Sequence, residues 1–235
     1  MIERGPTTRW VWLGGLAFVV VLACLVGIVA SIFLKGRNLG LVAFPVSIAC
    51  SLVGIAVADF VSGSVHFLAD RFGHEEIPVL GPNVIAPFRV HHDDPLAMTR
   101  HGFAETNGDN AIIVLPYAAL SVWVCLVIDG PWLVATFGAF SLAFVAAILG
   151  TNQIHKWAHA PGLAPRPVRA LQRRGWLLSP RQHGRHHVGN HDRAYCITTG
   201  WLNPLLDGAG FFPKFERLAK PLRPPGWRGQ NAPPC

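Results

Sequence analysis

Charge is scarce in this chain: only 14% of its 235 residues are Asp, Glu, Lys or Arg, about half the share usual in a soluble protein. Much of its surface therefore need not meet water, and hydrophobic residues make up 51%. Paired cysteines are missing too. Cys24, Cys50 and Cys125 lie in apolar blocks, Cys196 and Cys235 outside them, and no Cys-x-x-Cys occurs. Neither a thiolate metal site nor a disulfide framework is signalled. Also absent is Glu-x-x-His, the pair with which soluble carboxylate bundles hold two metals. Acidic residues are outnumbered, 13 against 20 Lys and Arg, for a net charge of +7. Those positive charges flank apolar blocks, so they match anionic lipid headgroups rather than nucleic acid.

What the chain does have is long apolar runs. Four of them, at about 10–34, 39–60, 111–128 and 132–150, reach or approach the 20 or so helical residues that cross a bilayer. The first is too long for the apolar core of a signal peptide. Asp129-Gly130-Pro131 supplies turn chemistry between the last two. The expected fold is all-α: an integral membrane protein of four helices in two transmembrane hairpins, with a histidine-rich cap. Residues 1–9 form an N-terminal segment, 10–220 the membrane domain, and 221–235, rich in Pro and Gly, a disordered tail.

Four spans put the N-terminus, 61–110 and everything after 150 on one side. That side holds 18 of the 20 Lys and Arg residues, leaving only Lys35 and Arg37 opposite. Positive excess marks the cytosolic face. The abundance of Ala, Gly, Pro and Arg favours a bacterial inner membrane over the endoplasmic reticulum. Two further stretches on that side, 165–178 and 211–222, mix apolar and basic residues in the manner of interfacial helices.

All eleven histidines, from His66 to His191, fall on the same side, and none lies inside the first, third or fourth span. They form two groups, one after each hairpin, which folding would bring face to face. His155 and His159 are four apart, as are His66 and Asp70, so each pair shares a helix face. Asp59 sits two turns before His66, too far for the same ion, and reads as a group behind the ligands or a helix-end charge. Ser179-Pro180 reads as a helix start, after which His183, His187 and His191 share one face with His186 beside them. Gly184 and Gly189 leave an irregular turn open. His91-His92, between Pro87 and Pro95, reads as a loop pair whose side chains diverge toward different metals. His101 follows nine residues later, and His74, without a partner at useful spacing, is assigned to solvent.

A lone His-x3-His pair is more often structural than metallic. Four clusters on one membrane face are a different matter. Neutral imidazoles suit iron, zinc or copper, whereas magnesium and calcium want carboxylates. About ten candidate ligands exceed the needs of one ion, so two are expected. A metal transporter or sensor would place polar ligands within the spans, which are nearly free of them.

The motifs resemble those of the plasmanylethanolamine desaturase family (the Kua or CarF type of lipid desaturase). They are Asp59-Phe-Val-Ser-Gly-Ser-Val-His66 with Asp70, Pro87-Phe-Arg-Val-His-His-Asp-Asp-Pro95, Thr99-Arg-His-Gly-Phe103 and Glu105-Thr-Asn-Gly-Asp-Asn110. Thr151-Asn-Gln-Ile-His-Lys-Trp-Ala-His159, Pro180-Arg-Gln-His-Gly-Arg-His-His187 with His191, and Cys196-Ile-Thr-Thr-Gly-Trp-Leu-Asn203 complete the set. The resemblance spans about 59–203 and implies a di-iron oxidoreductase. Its reaction would remove two hydrogens from the alkyl chain of a plasmanyl ether phospholipid, with molecular oxygen and a cytochrome-b5-like or ferredoxin-like donor, to form a plasmalogen. It implies metal ligation by His66, His91, His92, His155, His159, His183, His186, His187 and His191, and matches Asp70 and His101 as further ligand positions. Asp59, Asn107, Asn110 and Asn152 are expected to support those ligands. Acyl-chain desaturation or hydroxylation on the same histidine scaffold is the alternative.

Overall fold

The computed structural model describes residues 6–220, and the expected disordered tail lies outside them. Among the described residues every regular element is helical. Four long helices dominate: α1 (Thr8–Gly36), α2 (Ala43–Phe72), α4 (Phe103–Val127) and α5 (Pro131–His159). Each is long and apolar enough to cross a membrane. Between α2 and α4 a π-helical turn (Gly81–Ile85) leads into the short α3 (Ala86–Asp93). After α5 come α6 (Arg166–Arg173), α7 (Pro180–Gly184), α8 (Asn203–Gly208) and α9 (Phe211–Ala219).

Crossing a bilayer takes about 20 helical residues, but α2 has 30 and α5 has 29. The surplus of about ten residues, roughly 15 Å at the helical rise, carries His66 and Asp70 on one helix and His155 and His159 on the other. Around the bundle, Trp12, Leu16, Val19, Phe33, Phe44, Val53, Leu120, Trp123 and Leu133 are exposed. In water such a belt would be costly; facing lipid it is neutral. Contacts between helices rely instead on small residues, as in membranes generally. A methyl added to Gly14 would lie 2.5 Å from the Gly108 Cα, and one on Gly54 would lie 2.4 Å from the Phe140 carbonyl oxygen. Ala17, Ala58, Ala111 and Ala118 fill the core beside them.

The two hairpins interleave rather than stand side by side. α1 lies chiefly against α4, α2 lies against α5, and α5 touches the other three, while α1 and α2 scarcely meet. α2 and α4 also scarcely touch, which leaves a cleft between them with α5 as its floor.

Two local expectations change. His91 and His92 occupy the last turn of α3, not a loop. α7 does start at the Ser179 cap, where the Ser179 hydroxyl accepts from the Gln182 amide at 3.2 Å. It ends at Gly184, however, so His187 and His191 share no helix face with His183. The irregular turn left open by the glycines is what forms, with His191 at a φ of 49°, in a region His enters more readily than most residues. α9 sets Phe212 inward against Phe67 and Tyr195, at ring distances of 5.0 and 4.8 Å, and leaves Phe211, Phe215 and Leu218 exposed.

Candidate metal centre

Side chains from α2, α3, α5 and the 183–187 turn converge at one end of the bundle. They form two groups in which one ligand atom per residue lies within 4.8 Å of every other. The first is His91, His155, His159, His183 and His187; the second is His66, Asp70, His92 and His186. The adjacent pair His91 and His92 divides between the groups, and so does His186 and His187. Two neighbouring residues on two separate elements thus tie the groups together. His91 and His92 rings stand 4.3 Å apart, and His186 and His187 5.4 Å.

The nitrogen contacts are not explained by hydrogen bonding. His183 Nε2 lies 2.8 Å from His155 Nε2, 2.8 Å from His159 Nε2 and 3.0 Å from His187 Nε2. His155 and His159 Nε2 stand 3.1 Å apart. One imidazole N–H satisfies one such contact, so the others set lone pair against lone pair. A cation between them reverses the sign of that interaction. Imidazole nitrogens about 2.1 Å from one ion at right angles would stand about 3 Å apart, which matches.

The second group makes the same point with charge. Asp70, 1% exposed, has both carboxylate oxygens buried without a hydrogen-bond partner. They face His66 Nε2 at 3.4 Å, His186 Nε2 at 3.5 Å and His92 Nε2 at 3.7 Å. For His66 and His186 the Nδ1 atoms explain why the Nε2 carries no proton. His66 Nδ1 sits 3.1 Å from the Tyr195 carbonyl oxygen and His186 Nδ1 2.8 Å from that of Arg193. His91 Nδ1 is bonded likewise to the Phe88 carbonyl. Only an N–H can serve a carbonyl, so each proton is on Nδ1 and each Nε2 presents a lone pair, as for metal-binding histidines. His66 Nε2 and His91 Nε2 are otherwise unpartnered. Burial and neighbouring imidazoles hold His91 and His183 well below the usual histidine range, and burial takes His187 down to about 3. The rings stay neutral and available. Both groups can therefore hold a metal ion, and the donor set suits iron, zinc or copper.

The remaining expected site residues are placed as follows. His101 belongs to neither group; its Nε2 faces Glu105 Oε1 at 3.9 Å and its carbonyl accepts from Lys156 Nζ. His191 is also outside both, its ring stacked on His92 at 4.5 Å. Expected to join the ligands, these two stand apart from both groups: the helix that would have aligned His191 ends too early, and α4 begins just after His101. His74 is half-buried rather than in solvent. Asp59 is not a helix-end charge. It lies within α2, fully buried, and accepts backbone N–H groups of Thr198, Thr199, Gly200 and Leu202 at 2.7 to 3.2 Å. It thereby straps the 194–202 segment onto α2, and that segment supplies the Tyr195 carbonyl to His66. Asn107 donates to the Phe103 carbonyl and to Gln153 Oε1 at 3.2 Å, joining α4 to α5 two residues from His155. Asn152 lines a cavity together with His91 and His155, and Asn110 lines the adjoining one.

Sequence reasoning missed several contributors. The Tyr195 and Arg193 carbonyls leave no trace in residue identity. Arg71, whose Nε donates to the Tyr195 hydroxyl at 3.1 Å while that hydroxyl donates to the His191 carbonyl at 2.7 Å, was readable only as a basic residue next to Asp70. Gln153 and Asp109 lay within quoted motifs but received no role.

The lipid desaturase domain family matches residues 55–223, which contain every residue of both groups. The chain is 45% identical over 168 residues to plasmanylethanolamine desaturase of Myxococcus xanthus, covering 71% of this chain and 58% of that protein. It is 40% identical over 196 residues to mouse plasmanylethanolamine desaturase 1, covering 76% and 66%. Against Arabidopsis chloroplastic fatty acid desaturase 4 it is 34% identical over 183 residues, covering 76% and 54%. The chain thus spans roughly six-tenths of the length of these curated relatives. No solved structure matches it. On the strength of the domain match, and of the ligand groups inside it, the chain belongs to the lipid desaturase domain family.

Proposed function

We propose that this chain is a membrane di-iron lipid desaturase that introduces the vinyl ether double bond into the alkyl chain of plasmanyl ether phospholipids. His91, His155, His159, His183 and His187 would hold one iron, and His66, Asp70, His92 and His186 the other. Bound iron supplies the oxygen-dependent oxidising power that breaking an unactivated C–H bond demands and no side chain offers. The residues do the rest. The Tyr195, Arg193 and Phe88 carbonyls fix imidazole tautomers, Asp70 offsets positive charge, and burial keeps water from the ligands. The observation that carries this reading is the pair of adjacent, buried, imidazole-rich groups at the end of the long helices. Two relatives bear the name plasmanylethanolamine desaturase. The excess of positive charge on that side of the spans supports the cytosolic face for that end. Electrons would come from a cytochrome-b5-like or ferredoxin-like donor, drawn by the basic surface.

Expression in a host without plasmalogens, followed by lipidomics, tests the reading. Vinyl ether lipids should appear with the intact chain and not with a His155→Ala/His159→Ala variant. Similarity to a fatty acid desaturase favours one second reading, acyl-chain desaturation; loss of two hydrogens from an acyl chain with no vinyl ether would establish it. Gain of one oxygen would instead mark a hydroxylase.

A further inference from the structure

A cavity of about 440 Å³ empty volume is lined by His91 and His155 of the first ligand group, and a second of about 510 Å³ adjoins it. Both are lined by Val84, Phe88, Asp109 and Asn152, so they meet end to end. The upper one includes His91, His155 and Thr106 and opens past Met98, His101 and Glu105. The lower one is walled by Val65 of α2, Ile113 of α4, Ile148 of α5 and Ile197. It is the cleft left where α2 and α4 fail to meet. Val65 and Ile113 at its edge are 37% and 50% exposed on the lipid-facing surface.

Depth can be read along both walls. α4 descends from Thr106 through Asn110 to Ile113, and antiparallel α5 descends from His155 through Asn152 to Ile148. Seven residues separate the ends of each series, about 10 Å of rise. Thr106 therefore stands level with His155, and the isoleucines stand about 10 Å deeper. Thr106 is 5% exposed, and its hydroxyl has no hydrogen-bond partner; neither has the Asn110 amide nitrogen one turn below. Buried donors left unsatisfied are costly and mark a missing acceptor. Asp109, which also lines both cavities, offers no donor as a carboxylate, and its Oδ1 already takes the Trp10 indole N–H.

We propose that the α2–α4 cleft admits the alkyl chain of the lipid directly from the bilayer, and that Thr106 and Asn110 hold the oxygens of its glycerol linkage. This deepens the desaturase reading and rests on it. Ether and ester oxygens accept but do not donate, which complements two unused donors. With the linkage at Thr106, the tail runs down between Val65, Ile113 and Ile148 while the headgroup leaves past His101. The first carbons beyond the linkage then lie beside His91 and His155. Thr106 is a positioning residue: it chooses which carbons face the ligands.

Photocrosslinking of the iron-loaded protein in nanodiscs without oxygen, with an alkyl phospholipid bearing a diazirine in its chain, reads the cleft without turnover. Crosslinks should map to the peptides containing Val65, Ile113 and Ile148, and Ile113→Trp should reduce them about tenfold, while Leu120→Trp, elsewhere on the exposed face of α4, should leave them unchanged. In the iron-loaded enzyme Thr106→Val should lower vinyl ether yield about three- to tenfold, as loss of one neutral hydrogen bond implies. It should also move part of the unsaturation further along the chain, whereas Thr106→Ser should restore the original position. Crosslinks unaffected by Ile113→Trp, or a Thr106→Val product identical to wild type in position and yield, overturn the proposal. Should the wild-type chain crosslink as described yet form no vinyl ether, the desaturase reading falls and the cleft stands.

Discussion

In the Asp70 group, His66 and His186 each give their Nδ1 proton to a carbonyl of the 193–195 stretch, whereas in the five-histidine group the Nδ1 atoms of His155, His183 and His187 are buried without an acceptor. One group is oriented by the protein before any ion arrives. The other has more ligands but fewer fixed rings, so the ion itself must organise much of it. The groups also differ in charge, since Asp70 is the sole carboxylate in either. Neighbouring residues shared across α3 and the 186–187 turn mean that disorder in one group reaches the other.

The largest expected effect comes from attacking the five-histidine group. His155→Ala/His159→Ala removes two of its five ligands and should lower turnover by on the order of 100-fold or more. Elemental analysis should show iron falling from about two to about one per chain; loss of both would mean that the five-histidine group organises its neighbour. Asp70→Asn keeps the shape but removes the only negative charge, and a roughly 10- to 100-fold loss of activity with selective loss of one iron should follow. If both irons remain with full activity, Asp70 is not a ligand.

Asp59→Asn sharpens the comparison from a distance. The amide would turn N–H groups toward backbone N–H groups, costing on the order of 2–4 kcal/mol, and thermal unfolding should shift down by several degrees. Because the strap carries the Tyr195 carbonyl, iron should be lost first from the Asp70 group. The smallest effects belong to His101→Ala and His191→Ala, which should keep both irons and stay within about tenfold of wild-type activity, since neither ring enters a ligand group. Metal loss in His191→Ala would restore that residue to the ligand set.

Much of this site was legible because helical spacing survives translation into structure. His66 with Asp70, and His155 with His159, lie on helices long enough that an i, i+4 pair must share a face. The divergence of His91 from His92 also followed from local geometry, although their backbone proved helical. Beyond Gly184 the rule fails, since no helix remains to carry it, and His191 turns aside. Asp59 was invisible as a clamp because its partners are backbone amides some 140 residues away, and backbone groups are the same in every residue.

By itself, the order of residues determined four spans, one histidine-bearing face and a donor set chosen for a transition metal, because hydropathy and helical periodicity are local properties. Only the tertiary structure decided which imidazoles meet, which carbonyls set their protons, and that α2 and α4 stay apart. Those outcomes depend on how helices pass one another in three dimensions, where small residues such as Gly14 and Gly54 permit contact and no linear pattern records the gap.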